Sequence, residues 1–174
     1  MKKAILLSIF TLFLGVALNA QSTQATQEKK AMPSPAATAA GKIGEKSIKI
    51  NYFQPAVKGR TIWGSLVPYD KVWRTGANNA TVIEFDKDVK IEGKPLKAGK
   101  YAIFTIPTAT DMTFIFNKKT EQWGAYQYSD KEDVLRVKVK SAKAADFAER
   151  MTFELKDKAV QLTWENVTAG FGVE

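Results

Sequence analysis

Residues 152–165 read Thr-Phe-Glu-Leu-Lys-Asp-Lys-Ala-Val-Gln-Leu-Thr-Trp-Glu. Apolar residues occupy every second position on both sides of the polar pair Asp157-Lys158. Alternation with a period of two is typical of a strand that buries one face. The stretch therefore predicts two consecutive strands that form a hairpin joined near Asp157-Lys158.

The same period of two recurs upstream and predicts further strands. They are expected at Ile48 to Tyr52, Thr81 to Phe85, Val89 to Glu92 and Leu135 to Val139. Two other stretches, Tyr101 to Ile106 and Met112 to Phe116, are apolar on both faces. Because such strands are covered on both sides, we expect these two at the centre of a sheet, with a turn at residues 107–111 between them.

These patterns together predict an all-β fold. About eight short strands separated by turn signals, without a convincing amphipathic helix, are typical of an antiparallel β-sandwich or a jelly-roll-like arrangement. A single helical turn at Ala144 to Glu149 is the one exception that we expect. Leu96 to Tyr101 is similar to a tyrosine corner, in which Gly99 allows the bend and the Tyr101 hydroxyl returns to the backbone.

One long segment, residues 60–81, follows no strand pattern. It contains several glycines and a proline, together with Trp63 and Trp73. Long connections in compact domains are either functional or disordered, and this one is too aromatic to be disordered. We therefore predict one long ordered loop that packs on one end of the sandwich.

The N-terminal residues have the pattern of an export signal. Lys2 and Lys3 precede an apolar run that ends at Leu18-Asn-Ala20, which predicts a signal peptide over residues 1–20, cleaved after Ala20. Residues 21–41 are rich in Gln, Ser, Thr, Ala and Pro and predict a disordered tether. The expected product is a periplasmic or secreted protein without a transmembrane segment, in which residues 42–174 form a single β-sandwich domain.

Composition excludes several classes of function. The chain of 174 residues has no histidine and no cysteine, so a Ser-His-Asp triad, a cysteine nucleophile and a metal held by histidine or cysteine are all excluded. The net charge is +8, but only four of the 26 basic residues are arginines and the lysines are scattered. Nucleic-acid surfaces typically cluster their basic residues, so we expect no nucleic-acid partner, and we expect no metal and no cofactor.

Two aromatic and polar clusters are candidates for a ligand-binding site. The first lies in the long loop, and the second is Trp123-Gly-Ala-Tyr126. Aromatic faces stack on sugars or peptides, while carboxylate, guanidinium and amide groups give directional hydrogen bonds. The candidate residues are Tyr69, Asp70, Trp73, Arg74, Asn78, Asn79, Trp123 and Tyr126.

Each cluster also has a purely structural interpretation. Arg74 can pair with Asp70 while the asparagines cap turns, because an irregular loop needs partners for its backbone groups. The second cluster can be a core strand with alternating large residues. If the two clusters instead lie side by side, Trp73, Trp123 and Tyr126 are expected to form the walls of a cleft.

Several strings in the chain carry a family resemblance. They are Leu66-Val-Pro-Tyr-Asp-Lys-Val-Trp-Arg-Thr-Gly-Ala-Asn78, Leu96-Lys-Ala-Gly-Lys-Tyr101, Phe104-Thr-Ile-Pro107, Phe116-Asn117 and Gln122-Trp-Gly-Ala-Tyr126. With these strings the chain resembles a bacterial family known as domain of unknown function 2911, from about Lys46 to Trp164. The resemblance implies an exported protein with a small all-β domain, and it supplies no catalytic residue or ligand.

Three functions remain compatible with the sequence. The first is a non-enzymatic envelope binding module for a glycan, a peptide or a small polar ligand. The second is a polysaccharide hydrolase or lyase that uses two carboxylates such as Asp70 and Glu84, which need to lie about 5 to 10 Å apart across a cleft. The third is a structural or interaction protein in which the long loop only closes the sandwich.

Overall fold

Ten β-strands, paired antiparallel, account for most of residues 33–174, which are the residues that the computed structural model describes. The strands are β1 (Ala36–Ile43), β2 (Lys46–Phe53), β3 (Thr81–Phe85), β4 (Val89–Ile91), β5 (Lys94–Leu96), β6 (Gly99–Pro107), β7 (Asp111–Asn117), β8 (Asp133–Lys140), β9 (Ala142–Lys156) and β10 (Ala159–Gly172). A single 3-10 turn at Asp130–Glu132 precedes β8. The predicted all-β class is therefore confirmed.

The strands form one large sheet covered by a long hairpin. The sheet has the order β1-β2-β3-β6-β7-β8 and is open, with β1 and β8 at its edges, while β9 pairs with β10 and β4 with β5. Alternating residues of each strand meet in the core between the two layers. Tyr52 on the sheet packs edge-to-face on Phe153 of the hairpin at 5.2 Å, and Phe171 packs on Phe114 at 5.0 Å.

β6 and β7, which were expected at the centre of a sheet, lie inside it, and both are buried on both faces. Ile103 and Phe114 face the main core, whereas Phe104 and Ile115 belong to a second cluster on the opposite face. Irregular segments cover that second face, and Tyr128 packs on Phe104 with ring centroids 4.9 Å apart. The outer face of the sheet therefore carries its own apolar layer of loops.

The predicted tyrosine corner and hairpin are confirmed. The Tyr101 hydroxyl donates a hydrogen bond to the Lys97 carbonyl at 2.8 Å, and Gly99 has a φ of 143°, which favours glycine. The C-terminal hairpin turns after Lys156, which pairs with Ala159. The Tyr101 hydroxyl and Gly99 thus fix the corner at which β6 begins.

The predicted tether is wrong for residues 36–41. These residues belong to β1, in which Ala39 pairs with Ile50 of β2, and Ala37 and Ala39 pack against the main core. Small residues give little hydrophobic signal, so the strand forms because β2 offers an unpaired edge. The predicted signal peptide and residues 21–32 of the tether lie outside the described residues.

The predicted helical turn at Ala144 to Glu149 is also wrong. These residues lie within β9, which the register of the hairpin carries past two irregularities: Thr152 pairs with Thr163, and Ala148 pairs with Glu165. Extra residues on β9 therefore bulge, and this bulging replaces the expected turn. In the part of the chain that the structure describes, no helix has the length and apolar character needed to cross a membrane.

Candidate functional site

The long loop between β2 and β3 extends the pairing along β6 beyond the first residue of β3. Trp73 exchanges two backbone hydrogen bonds with Thr105 of β6, at 2.8 and 2.9 Å, and the Asp70 N–H donates to the Pro107 carbonyl at 2.9 Å. Ile62 and Val67 of the same loop are buried in the main core. The loop is thus an ordered element that packs on the core, as its aromatic composition predicts.

Three tryptophans anchor this loop to the hairpin. The Trp73 ring stacks on the Trp164 ring of β10 with centroids 5.6 Å apart, and the edge of Trp63 approaches both rings at about 6 Å. Trp73 Nε1–H donates to the Gly76 carbonyl and Trp63 Nε1–H to the Trp164 carbonyl. The buried Nε1–H of Trp164 has no acceptor among the described residues.

The chain makes a tight turn at the residues that follow Trp73. Thr75 and Asn78 have positive φ values, and Gly76 has a φ of 155°. The Thr75 carbonyl accepts a hydrogen bond from the Thr81 hydroxyl at 2.6 Å, and the Arg74 carbonyl accepts one from the Thr81 N–H at 3.3 Å. These contacts hold residues 74–81 as a short closed loop that leads into β3.

A cavity of about 300 Å³ lies between the short loop of residues 74–81, the start of the long loop and β10. Its polar and aromatic lining comes from three separate parts of the chain. The lining residues include Arg60, Leu66, Trp73, Arg74, Asn78 and Trp164. We call this space the Arg74 cavity. Among residues 33–174, no aspartate or glutamate lines it.

The Arg74 guanidinium is half-buried without a carboxylate partner. Within residues 33–174 no acidic oxygen lies within 4.0 Å of it, and its buried Nε has no hydrogen-bond acceptor. Burial lowers the pKa of Arg74 from its ordinary value, because desolvation disfavours the charged form. Asp70 is one of the acidic residues that lie beyond this distance, so the interpretation in which Arg74 pairs with Asp70 is wrong.

Arg60 is held in place by the backbone of its own turn. Its Nε donates to the Val57 carbonyl at 3.0 Å and its Nη2 to the Ala56 carbonyl at 2.5 Å. Both acceptors are neutral, so the positive charge of Arg60 is not compensated by an ion pair among the described residues. Two uncompensated guanidinium groups therefore line the same cavity.

The second aromatic cluster lies beside the first. Ala80 N–H donates to the Gln122 carbonyl at 2.9 Å, and Gly124 N–H donates to the Asn78 carbonyl at 3.0 Å. A Cβ added at Gly124 would meet the Tyr126 ring at 3.0 Å and Arg74 Nη1 at 3.8 Å. Gly124 has a φ of 64°, so the bend of its own segment favours glycine at this position.

The predicted site residues do not all meet in one place. Trp73, Arg74 and Asn78 line the Arg74 cavity, whereas Tyr69 lines another cavity with Trp63 and Asn79 lines a third. The remaining three are exposed and line none of these cavities: Asp70, Trp123 and Tyr126. The Trp123 ring is 59% exposed, so the interpretation of its segment as a core strand is wrong.

Two residues of the cavity were missed by sequence reasoning. Arg60 opens the long loop and is one of only four arginines, which is the signal that could have identified it. Trp164 was assigned only to a strand. Nothing local in the sequence indicates that Trp164 lies against Trp73.

The carboxylate pair expected for an alternative glycosidase does not form. Asp70 lies beside Pro107 and Glu84 lies beside Lys100, at opposite ends of β6. At a strand rise of about 3.3 Å per residue, the two positions are about 23 Å apart. This separation exceeds that of either class of glycosidase.

Comparison with known proteins identifies a family. The sequence profile described as "Protein of unknown function (DUF2911)" matches residues 34–173. This range includes β1 and extends beyond residues 46–164, on which the resemblance in the sequence rests. No curated protein and no solved structure matches the chain.

Proposed function

We propose that this chain, which belongs to the DUF2911 family, is a non-enzymatic binding module that takes a glycan, a peptide or a small polar ligand in the Arg74 cavity. The N-terminal signal pattern supports export, and the proposed place of action is the bacterial envelope or its exterior. The proposal concerns the β-sandwich, whose long loop and hairpin supply the ligand contacts.

The observation that carries the proposal is the meeting of Trp73, Arg74 and Asn78 in one cavity. Its volume, about 300 Å³, is at the lower end of the range for small-molecule sites. Aromatic walls with a few fixed polar groups are the usual composition of such sites. A cavity of this size suits a single sugar ring or the end of a peptide.

Chemistry favours binding over turnover. The chain has neither histidine nor cysteine, and the carboxylates Asp70 and Glu84 are too far apart to act together. The lining of the Arg74 cavity includes the hydrogen-bonding groups of Arg60, Arg74 and Asn78 together with two indole rings, which orient a ligand. None of the lining residues carries a carboxylate that could serve as a general base or a nucleophile.

A ligand screen tests the proposal. We expect a library of glycans, short peptides and small polar molecules to contain a ligand with micromolar to millimolar affinity, measured by calorimetry. Ala77 is buried and lines the cavity, so Ala77→Leu should fill it and abolish binding. Ala145→Leu, an identical change at an exposed position of β9, is the matched control and should bind normally.

The screen also separates the competing functions. Absence of any ligand, or a ligand that Ala77→Leu still binds, would favour a structural role in which the long loop only closes the sandwich. Hydrolysis of a polysaccharide by the folded protein would replace the binding module with an enzyme.

A further inference from the structure

We infer that the group seated in the Arg74 cavity is an oxyanion, a carboxylate or a phosphate, held by the Arg74 guanidinium and the Trp164 indole N–H. This inference rests on the proposed binding function and adds the chemical class of the ligand. It is carried by the charge of the cavity and by the donors that the fold leaves without acceptors.

The charge of the lining is entirely positive. Two of the four arginines of the chain, Arg60 and Arg74, line the cavity, and no acidic residue of the described part of the chain does. The other two arginines lie outside the lining, and Arg136 contacts the carboxylate of Asp133. Guanidinium groups without a protein carboxylate are suited to bind the carboxylate or phosphate of a ligand.

The buried donors without acceptors also favour an anionic ligand. Among residues 33–174, three buried side-chain atoms lack a hydrogen-bond partner, and two of them belong to residues of this cavity: Arg74 Nε and Trp164 Nε1. Both are donors. The third atom, Gln122 Oε1, is an acceptor and belongs to a residue outside the cavity lining. Two donors of the cavity residues thus lack acceptors, which an oxyanion supplies.

The surrounding structure fixes these donors before a ligand arrives. Trp164 is 1% exposed and stacked on Trp73, so its indole N–H has little freedom to turn towards solvent. Arg60 donates two hydrogen bonds to backbone carbonyls, and these bonds fix the plane of its guanidinium. Donors held in this way lose little conformational entropy on binding.

Nuclear magnetic resonance of the indole N–H groups gives a direct test. The chain has four tryptophans, and Trp164→Phe identifies the Trp164 signal by its loss. We expect inorganic phosphate or methyl glucuronide, at about 10 mM, to shift this signal downfield as the N–H gains an acceptor. Neutral methyl glucoside, which lacks the carboxylate of the glucuronide, should leave the signal in place.

Matched variants test the role of charge. Asn78→Asp places a carboxylate in the lining of the cavity, and we expect it to weaken anion binding about 10-fold or more. Asn51→Asp makes the same change on an exposed part of β2 and should bind normally. Arg74→Gln should also weaken binding about 10-fold, whereas Arg150→Gln, outside the cavity, should not.

The outcomes separate this inference from the proposed function. A response to phosphate alone identifies a phosphate ligand, and a response to the glucuronide alone identifies a carboxylate. If a neutral ligand from the screen binds in the cavity and Asn78→Asp leaves its affinity unchanged, the oxyanion inference is overturned while the binding function stands. If neither anion shifts the Trp164 signal and no ligand is found in the screen, both fail.

Discussion

The ring of Trp73 stacks on the ring of Trp164 at a centroid distance of 5.6 Å with an interplanar angle of 18°. One ring belongs to the long loop and the other to β10, so this contact, together with those of Trp63, joins the irregular segment to the covering hairpin. The same contact brings Arg74, the residue after Trp73, to the cavity that Trp164 lines. The Trp73–Trp164 pair therefore takes part both in the attachment of the loop and in the lining of the cavity.

Replacement of Trp73, which is half-buried, should affect stability more than replacement of Trp123, which is exposed. Trp73→Ala should lower the free energy of unfolding by about 2 to 4 kcal/mol, because it removes a ring packed against the core. Trp123→Ala should cost less than about 1 kcal/mol, because that ring is largely exposed. Urea denaturation measures both, and equal losses would contradict the assignment of Trp73 to the core.

Replacement of Arg74 by an apolar residue should not destabilise the protein. Arg74→Met should leave the free energy of unfolding unchanged or raise it by up to about 1 kcal/mol, because a half-buried guanidinium without an ion pair is removed. Arg136→Met is the control. It removes the partner of the largely buried Asp133 carboxylate and should cost about 1 to 3 kcal/mol. A comparable loss in both variants would show that Arg74 has a stabilising partner.

Alkaline pH should destabilise the protein through Tyr128. Burial, and then the hydrogen bond that its hydroxyl donates to Asp133, raise the pKa of Tyr128 from 10.0 to about 12. Because the pKa is higher in the folded state, this contribution to stability is fully present below pH 10 and is lost as the pH rises through about 12. Thermal unfolding across this window should show a smaller loss for Tyr128→Phe. Identical pH profiles for both proteins would contradict the raised pKa.

The first strand should be needed for the integrity of the sheet. Deletion of Ala36–Ile43 exposes the backbone of β2, which pairs with β1 along its whole length. We expect a lower melting temperature and self-association, since an unpaired strand edge can pair with another chain. Size-exclusion chromatography and thermal unfolding measure the two effects. A monomer of unchanged stability would restore the interpretation of residues 36–41 as part of a tether.

Export should leave a defined N-terminus. The signal pattern predicts cleavage after Ala20, so the exported protein should begin at Gln21. Intact mass measurement of protein recovered from outside the cytoplasm of the expressing cells checks this result. A mass that includes residues 1–20 would exclude cleavage at this site.

Much of the sheet could be predicted because alternation is a local signal. A strand with one buried face must place apolar residues at every second position, and this is the pattern of β2, β3 and β8. The tyrosine corner could be predicted for the same reason, since Gly99 and Tyr101 lie two residues apart. β1 lacked such a signal because its alanines bury little surface, and its pairing depends on the edge that β2 presents.

The sequence by itself determined the all-β class, the burial of β6 and β7 on both faces inside the sheet, and the presence of an ordered aromatic loop. Only the tertiary structure decided which polar residues of that loop share a cavity. Arg60, Arg74 and Trp164 meet because the hairpin folds over the sheet and stacks Trp164 on Trp73, two residues far apart in the chain. Contacts at such sequence separation depend on packing and strand register, and no local pattern of residues encodes them.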